Sequence, residues 1–190
     1  MENGLTNRID VINYIINKKN YIKYLEIGCY DNSCFDNINC LYKVGVDSTS
    51  GGTIRATSDQ FFAKNTENFD IIFIDADHHE SQVCKDFFNA VKFLNKNGII
   101  ILHDCFPPSK EYENQELCGT AWRAFYKIRR LPSFDSVLMD LDMGLGLVRR
   151  AWNTGVTHFN EITYDEMTSN AEKYMRLMSV EKSIEWINYG

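Results

Sequence analysis

The chain has 190 residues, 44% hydrophobic and 24% charged, with only 3 prolines; this fits one folded domain with a sizeable core and excludes a disordered or fibrous chain. A net charge of −6 argues against a nucleic-acid partner, which needs clustered Lys and Arg, and Arg129-Arg130 and Arg149-Arg150 read as solvated edges or helix ends. The longest aliphatic run, Ile99-Ile100-Ile101-Leu102, is far short of the ~20 residues of a membrane helix, and Met1-Glu2-Asn3-Gly4 carries no secretory pattern, so a cytoplasmic protein without a membrane partner is expected.

Residues 6–17 predict an amphipathic helix with Ile9, Ile12, Ile15 and Ile16 on one face. Tyr21–Ile27 reads as a strand ending at Gly28, residues 33–39 as a short helix, and Tyr42–Asp47 as a second strand. Thr53–Thr57 is a short strand candidate, and Ser58 and Asp59 are suited to cap a helix over 60–64. Phe69–Asp75 is a nearly continuous apolar run, as in a strand buried on both faces of a parallel sheet. A helix is expected from Glu80 to Lys96 with Gly98 as its stop, then a second doubly buried strand over Ile99–Leu102. Pro107-Pro108 opens a polar stretch to Leu117 with the length of a lid. Gly119–Arg130 is helical, and Phe134–Leu141 with Leu145–Arg149 predicts an antiparallel hairpin around Asp142-Met143-Gly144. Thr163 and Glu166 form a capping box, and Ile184 and Ile187 mark a last helix.

Alternating helices and β-branched strands give an α/β fold, a doubly wound, mostly parallel Rossmann-like sheet with a C-terminal antiparallel hairpin. The domain is read as 1–190, with a cofactor half over about 20–105 and the lid, hairpin and C-terminal helices over about 106–190. The six cysteines (Cys29, Cys34, Cys40, Cys84, Cys105, Cys118) show no CxxC spacing and read as reduced small hydrophobes.

In such sheets ligands bind beyond the carboxyl ends of the strands. Glu26-Ile27-Gly28, Asp47, Asp75 and His103-Asp104 each fall at a predicted strand end. Gly28 allows close backbone approach to a ligand, and Asp47 is placed to accept hydrogen bonds from ribose hydroxyls. The turn lacks GxGxxG and has no basic residue nearby. An acid at Glu26 repels phosphate and suits an ammonium or sulfonium.

The segments LEIGCYDNS (25–33), VGVD (44–47), SGGT (50–53) with SDQFF (58–62), FDIIFIDADHHESQV (69–83) and NGIIILHDC (97–105) together resemble the class I S-adenosylmethionine-dependent methyltransferases. Within them the chain is most similar to a small branch of O-methyltransferases associated with glycans and antibiotic sugars. The Trp122 helix and the hairpin from Asp140 to Gly146 share that look. The resemblance implies S-adenosylmethionine as cofactor, with Gly28, Tyr30 and Ser33 at its methionine part, Glu26 near its ammonium, Asp47 on the ribose, Ser58 and Asp59 at the adenine edge, and Asp75 lining the site. Asn32 and Ala76 stand where that pattern carries glycines; Asn tolerates the left-handed conformation best among the other residues.

His78, His79 and His103 follow two strands beside Asp75, Asp77 and Asp104. A metal-free base site and a carboxylate-held divalent metal both account for this cluster, magnesium or calcium suiting oxygen ligands and manganese or zinc suiting histidine. By resemblance to metal-dependent catechol-type O-methyltransferases, Asp75 and Asp104 would hold Mg2+ or another divalent cation, with His103 a third ligand or a substrate contact. His78, with a reference pKa near ~6.5, would be the general base; His78, His103 and Asp104 are the catalytic candidates. His79 reads as a solvent-facing helix start, Asp77 as either a helix-start acid or a site residue, and His158 lies in no motif. Phe61-Phe62, Phe87-Phe88 and Phe125 read as core, whereas Trp122, beside a basic residue and after the lid, is a candidate stacking platform. The expected partner is a small-molecule acceptor, a carbohydrate, with homo-oligomerisation left open. A non-catalytic scaffold and a nicotinamide-dependent oxidoreductase are the rival readings, the latter opposed by the missing GxGxxG.

Overall fold

The computed structural model describes residues 4–153, 155 and 160–189; His158 lies outside the described residues. An eight-stranded sheet is built from β1 (Lys23–Ile27), β2 (Tyr42–Asp47), β3 (Ile54–Arg55), β4 (Phe69–Ile74), β5 (Leu94–Leu102), β6 (Phe134–Met139), β7 (Leu145–Arg150) and β8 (Leu177–Met178). Its order is β3-β2-β1-β4-β5-β7-β6-β8. β7 is antiparallel to both of its neighbours, β5 and β6, and every other pairing is parallel. The strand order reverses between β1 and β4, so the carboxyl ends of those two strands flank the crevice where open α/β sheets bind ligands.

Alternate strand residues point to opposite faces, and both faces are covered, which explains the unbroken apolar runs. Leu25, Ile27, Ile72, Ile74, Ile100 and Leu102 pack beneath α2 (Ser58–Phe62), α3 (Glu80–Lys92), α4 (Ala121–Arg129) and α5 (Tyr164–Ser169). Tyr24, Ile71, Phe73, Ile99 and Ile101 pack beneath α1 (Arg8–Lys19) and α7 (Val180–Asn188); α6 (Ala171–Tyr174) is a single turn leading into β8. Asn7 caps α1 by accepting from Ile9 N at 2.9 Å and Asp10 N at 3.1 Å. Thr163 and Glu166 form the expected capping box at α5. No helix among the described residues is long and apolar enough to cross a membrane.

Several expected boundaries move, each for a local reason. The helix over 33–39 is only one 3-10 turn, Phe35–Asn37. α2 is capped by Thr57, whose side chain and Gln60 form a capping box, so Ser58 and Asp59 lie inside the first turn and are not the cap. α3 stops at Lys92 because the chain re-enters the sheet at Leu94 and bulges before Ile99, where the β4–β5 register shifts. Asp70 holds that bulge by accepting from Asn95 Nδ2 at 2.7 Å. A Cβ on Gly98 would lie 2.7 Å from Asp70 O, so Gly98 serves close packing there and does not end a helix. β8 escaped the sequence altogether; two residues are too short for a periodicity signal.

Some single residues also differ from expectation. Arg129 is buried and not solvated: its Nη1 donates to Asn153 Oδ1 at 2.9 Å and its Nη2 to Gly155 O at 3.3 Å. Phe88 is half exposed, whereas Phe61, Phe62, Phe87 and Phe125 are core. Trp122 is fully buried, with Nε1 donating to Glu113 Oε1 at 3.0 Å, so it cannot be a stacking platform for substrate. All six cysteines are free.

Candidate active site

A cleft of about 530 Å³ opens at the carboxyl ends of β1, β2 and β4 and runs between α2 and α3. Five aspartates line it (Asp47, Asp59, Asp75, Asp77, Asp86), with no lysine or arginine among the lining residues. Gly28, Tyr30 and Ser58 also border it, as do the apolar side chains of Ile27, Val46, Ala56 and Ala76. Ser33 is exposed and Glu26 buried, and neither lines this cleft. A larger groove, about 710 Å³, lies beside α1 and is lined by four asparagines and Asp10, away from the strand-end acids.

The turn after β1 explains the need for glycine. Gly28 has φ +91°, and a Cβ there would fall 2.1 Å from Asp75 O. Asn32 takes the left-handed conformation with φ 67°, and its Oδ1 accepts from Gly52 N at 2.7 Å, tying the turn to the following loop. Asp47 is saturated by protein donors. One oxygen accepts from Cys29 N and Tyr30 N, the other from Thr49 N, Ser50 N and Thr49 Oγ1, all within 3.0 Å. Burial pushes this carboxyl up, but the four backbone N–H groups hold it well below the usual carboxylate range.

Glu26 lies on the α1 face of β1, hydrogen-bonded by the Tyr24 hydroxyl. Burial raises its carboxyl to about 7 despite that bond. Asp86, in the middle of α3, is fully buried in the cleft wall. Gln82 Nε2 donates to its Oδ1 at 3.0 Å and to Ser58 Oγ at 3.3 Å. Burial pushes the Asp86 carboxyl up to about 6 against the bonds that favour its charge.

At the β4–β5 end, two histidines and two aspartates converge. His78 Nε2 is 3.2 Å from Asp104 Oδ2 and 3.7 Å from Asp75 Oδ1, and its Nδ1 meets Gln115 O at 3.2 Å. His103 Nδ1 is 3.2 Å from Asp75 Oδ1 and 3.3 Å from Asp104 Oδ2. Sequence reasoning missed two partners here. Asp142, in the β6–β7 turn, lies 3.5 Å from His103 Nε2, and Arg8 Nη1 donates to Asp142 Oδ2 at 3.1 Å. Only tertiary packing brings residues 8 and 142 to residues 75 and 103, though the Asp142 turn, at the end of a strand parallel to β5, was a signal available in the sequence.

The hydrogen-bonded Asp75 carboxylate, with Asp104 beside it, raises the His78 imidazole above its ordinary value despite burial. Burial disfavours charge on His103, yet Asp75, Asp104 and Asp142 raise it well above the ordinary value. Asp75 is likewise pushed up by burial but pulled well below the carboxylate range by His103, His78 and Arg8. Asp104 sits at φ +58°, an uncommon backbone for a non-glycine residue and one often found where function fixes geometry. His79 faces solvent, its Nδ1 2.8 Å from Asp77 Oδ1.

Of the sequence candidates, Gly28, Tyr30, Asp47, Ser58, Asp59 and Asp75 share the cleft, and His78, His103 and Asp104 gather around Asp75 at its end. Asp75, His78 and Asp104 each offer a ligand atom within 4.8 Å of the others.

Residues 42–105, from β2 to just beyond Asp104, match the family described as Methyltransferase domain. No curated protein matches the chain. The fold is that of class I methyltransferases. The S-adenosylhomocysteine-bound methyltransferase PaMTH1 of Podospora anserina is 17% identical with a TM-score of 0.57, over 76% of this chain and 78% of that one. An O-methyltransferase of Bacillus cereus in complex with S-adenosylhomocysteine is 14% identical with a TM-score of 0.57, over 76% and 80%. Cofactor-bound Rv0187 from MTB is 11% identical with a TM-score of 0.60, over 80% and 84%. At these identities the likeness is one of fold.

Proposed function

We propose that this chain is an S-adenosylmethionine-dependent O-methyltransferase acting on a hydroxyl of a small polar acceptor, a sugar. One observation carries the reading: an acid-lined cleft without a lysine or arginine runs into a histidine–aspartate cluster at the carboxyl ends of β4 and β5. Arg55, Lys85 and Arg8 pair with Asp47, Asp59 and Asp75 from outside the lining. The wall itself presents acceptors and no cationic donor, which suits a ligand bearing a sulfonium and an ammonium better than a phosphate. The sealed, partnerless oxygens of Asp59 and Asp86 in the same wall fit a nucleoside with hydrogen-bond donors at its edge. The methyltransferase family match over 42–105 and the O-methyltransferase among the fold relatives support the same class of reaction. The choice of sugar rests on the sequence resemblance alone.

When bound, S-adenosylmethionine supplies an electrophilic methyl group. The protein's own work is then positioning and proton removal. Gly28 lets the backbone close on the ligand, and the loop held by Asp47 frames it. In its neutral form, with the proton on Nδ1, His78 takes the acceptor hydroxyl proton at Nε2, and Asp104 and Asp75, which raise this imidazole, stabilise the imidazolium that results. Gln115 O fixes the ring by accepting from Nδ1–H. His103, between Asp75, Asp104 and Asp142 and with Arg8 Nη1 3.3 Å from its Nε2, is an anchor that orients the three carboxylates.

A divalent cation also fits Asp75, His78 and Asp104, two carboxylates and an imidazole whose other nitrogen is held by a carbonyl. Such an ion would act as a Lewis acid on the acceptor hydroxyl, and His78 would then be a ligand in place of the base. Transfer of a labelled methyl from S-adenosylmethionine to a panel of sugars and catechols, with and without Mg2+ or Mn2+, tests the proposal. Labelled sugar is the expected product. No transfer to any hydroxyl acceptor, with cofactor binding intact, would favour the scaffold reading.

A further inference from the structure

We propose that Asp86, on α3, is a specificity-determining residue that accepts a hydrogen bond from the exocyclic amino group of the nucleoside base bound in the cleft. The inference rests on reading that cleft as the S-adenosylmethionine site.

Three observations lead there. Asp86 is fully buried, yet it lines the cleft; the Ser58 hydroxyl and Gln82 hold its carboxyl, and its Oδ2 is sealed from solvent with no donor of its own. Buried carboxylate oxygens seldom lack a partner, and leaving one unmade is costly, so the position is suited to a donor that arrives with the ligand. A second oxygen in the same wall, Asp59 Oδ1, is also sealed and partnerless, while Asp59 Oδ2 is held by Lys85 Nζ at 2.5 Å. Two waiting acceptors complement a group that offers only N–H donors, and an exocyclic amine offers two. The apolar side chains of Ile27, Val46, Ala56 and Ala76 give the same cleft walls for a flat ring.

The discrimination this builds is between a 6-amino and a 6-oxo purine. A carbonyl at that position would set one acceptor against another in a buried place, which is a strongly rejecting arrangement. Gln82 makes the assignment directional. Its Nε2 holds Asp86 Oδ1, so the other position of the carboxyl is the one left for ligand. In Asp86→Asn the same bond keeps the amide oxygen toward Gln82 and turns the NH2 toward the ligand. The variant then presents a donor where the wild type presents an acceptor.

The test is calorimetric titration of wild type and Asp86→Asn with S-adenosylhomocysteine and S-inosylhomocysteine, which differ in that amino or oxo group. Wild type should prefer the adenosyl compound. Asp86→Asn should weaken adenosyl binding by about 10- to 100-fold and strengthen inosyl binding, so the preference shrinks or inverts. Asp86→Leu should weaken adenosyl binding without the inosyl gain. A merely structural role would change both affinities together and leave their ratio alone. Wild type that binds the adenosyl compound while both folded variants keep the wild-type ratio overturns this inference and spares the function above. Wild type that binds neither compound overturns both.

Discussion

Asp86→Asn also isolates the energetic cost of placing an acid in the cleft wall. The folded carboxyl is raised from an ordinary value of 3.8 to about 6, chiefly by burial, with Asp59 and Asp77 adding repulsion. Between those two values the folded state binds more protons than the unfolded state, so stability falls as pH rises through that window. At roughly 1.4 kcal/mol per pH unit, the penalty in full above pH 6 is about 3 kcal/mol. Asparagine carries no such penalty, and any fixed cost of its NH2 group is the same at every pH. The difference in unfolding free energy, variant minus wild type, should therefore grow by about 2.4 kcal/mol between pH 4 and pH 7, since part of the penalty is already present at pH 4. Urea denaturation of both proteins at four pH values measures it, and subtraction removes other titrating groups such as Glu26. A difference that stays flat across that range would mean that burial does not raise the Asp86 carboxyl.

Other outcomes follow from single positions. Gly28→Ala, with its new Cβ 2.1 Å from Asp75 O at a positive φ, should destabilise by about 3 kcal/mol or more, read as a drop in melting temperature; an unchanged melt would contradict the turn described. Thr57→Ala removes the side-chain half of the α2 capping box, the acceptor for Gln60 N, and leaves the Thr57 N–H on Gln60 Oε1; it should cost about 1 kcal/mol in the same assay, whereas Ser58→Ala, one position inside the helix, should not lose a cap. If the proposed function holds, His78→Gln should lower methyl transfer about 10²- to 10⁴-fold while S-adenosylhomocysteine affinity stays within about twofold, since His78 borders the acid-lined cleft without lining it; equal transfer by the variant would remove His78 from the chemistry.

The sheet was legible because doubly buried strands leave uninterrupted apolar runs, as in Phe69–Ile74 and Ile99–Leu102, and because each of those runs ends on acids or histidine. The end of α3 was not legible, since Phe93–Lys96 continues a helical pattern and only the pairing of Leu94 with Phe69 pulls it into the sheet. The cleft acids at the ends of β2 and β4, Asp47 and Asp75, could be read from strand ends. Asp86 was missed although its spacing was a signal: it stands three residues after Val83 and four before Ala90, on the buried face of α3. Arg8 and Asp142 were hidden, being 134 residues apart and joined only when α1 packs over the β6–β7 turn. Trp122 shows the opposite error, since an aromatic beside a basic residue suggests a platform, but Arg123 stacks on its ring at 4.4 Å and the indole is core.

If the acid-lined cleft is an S-adenosylmethionine site, calorimetric titration of the wild-type protein with S-adenosylhomocysteine shows one site per chain with a Kd in the micromolar range, about −8 kcal/mol. Absence of binding up to millimolar ligand, in a protein that melts cooperatively, would contradict that reading of the cleft.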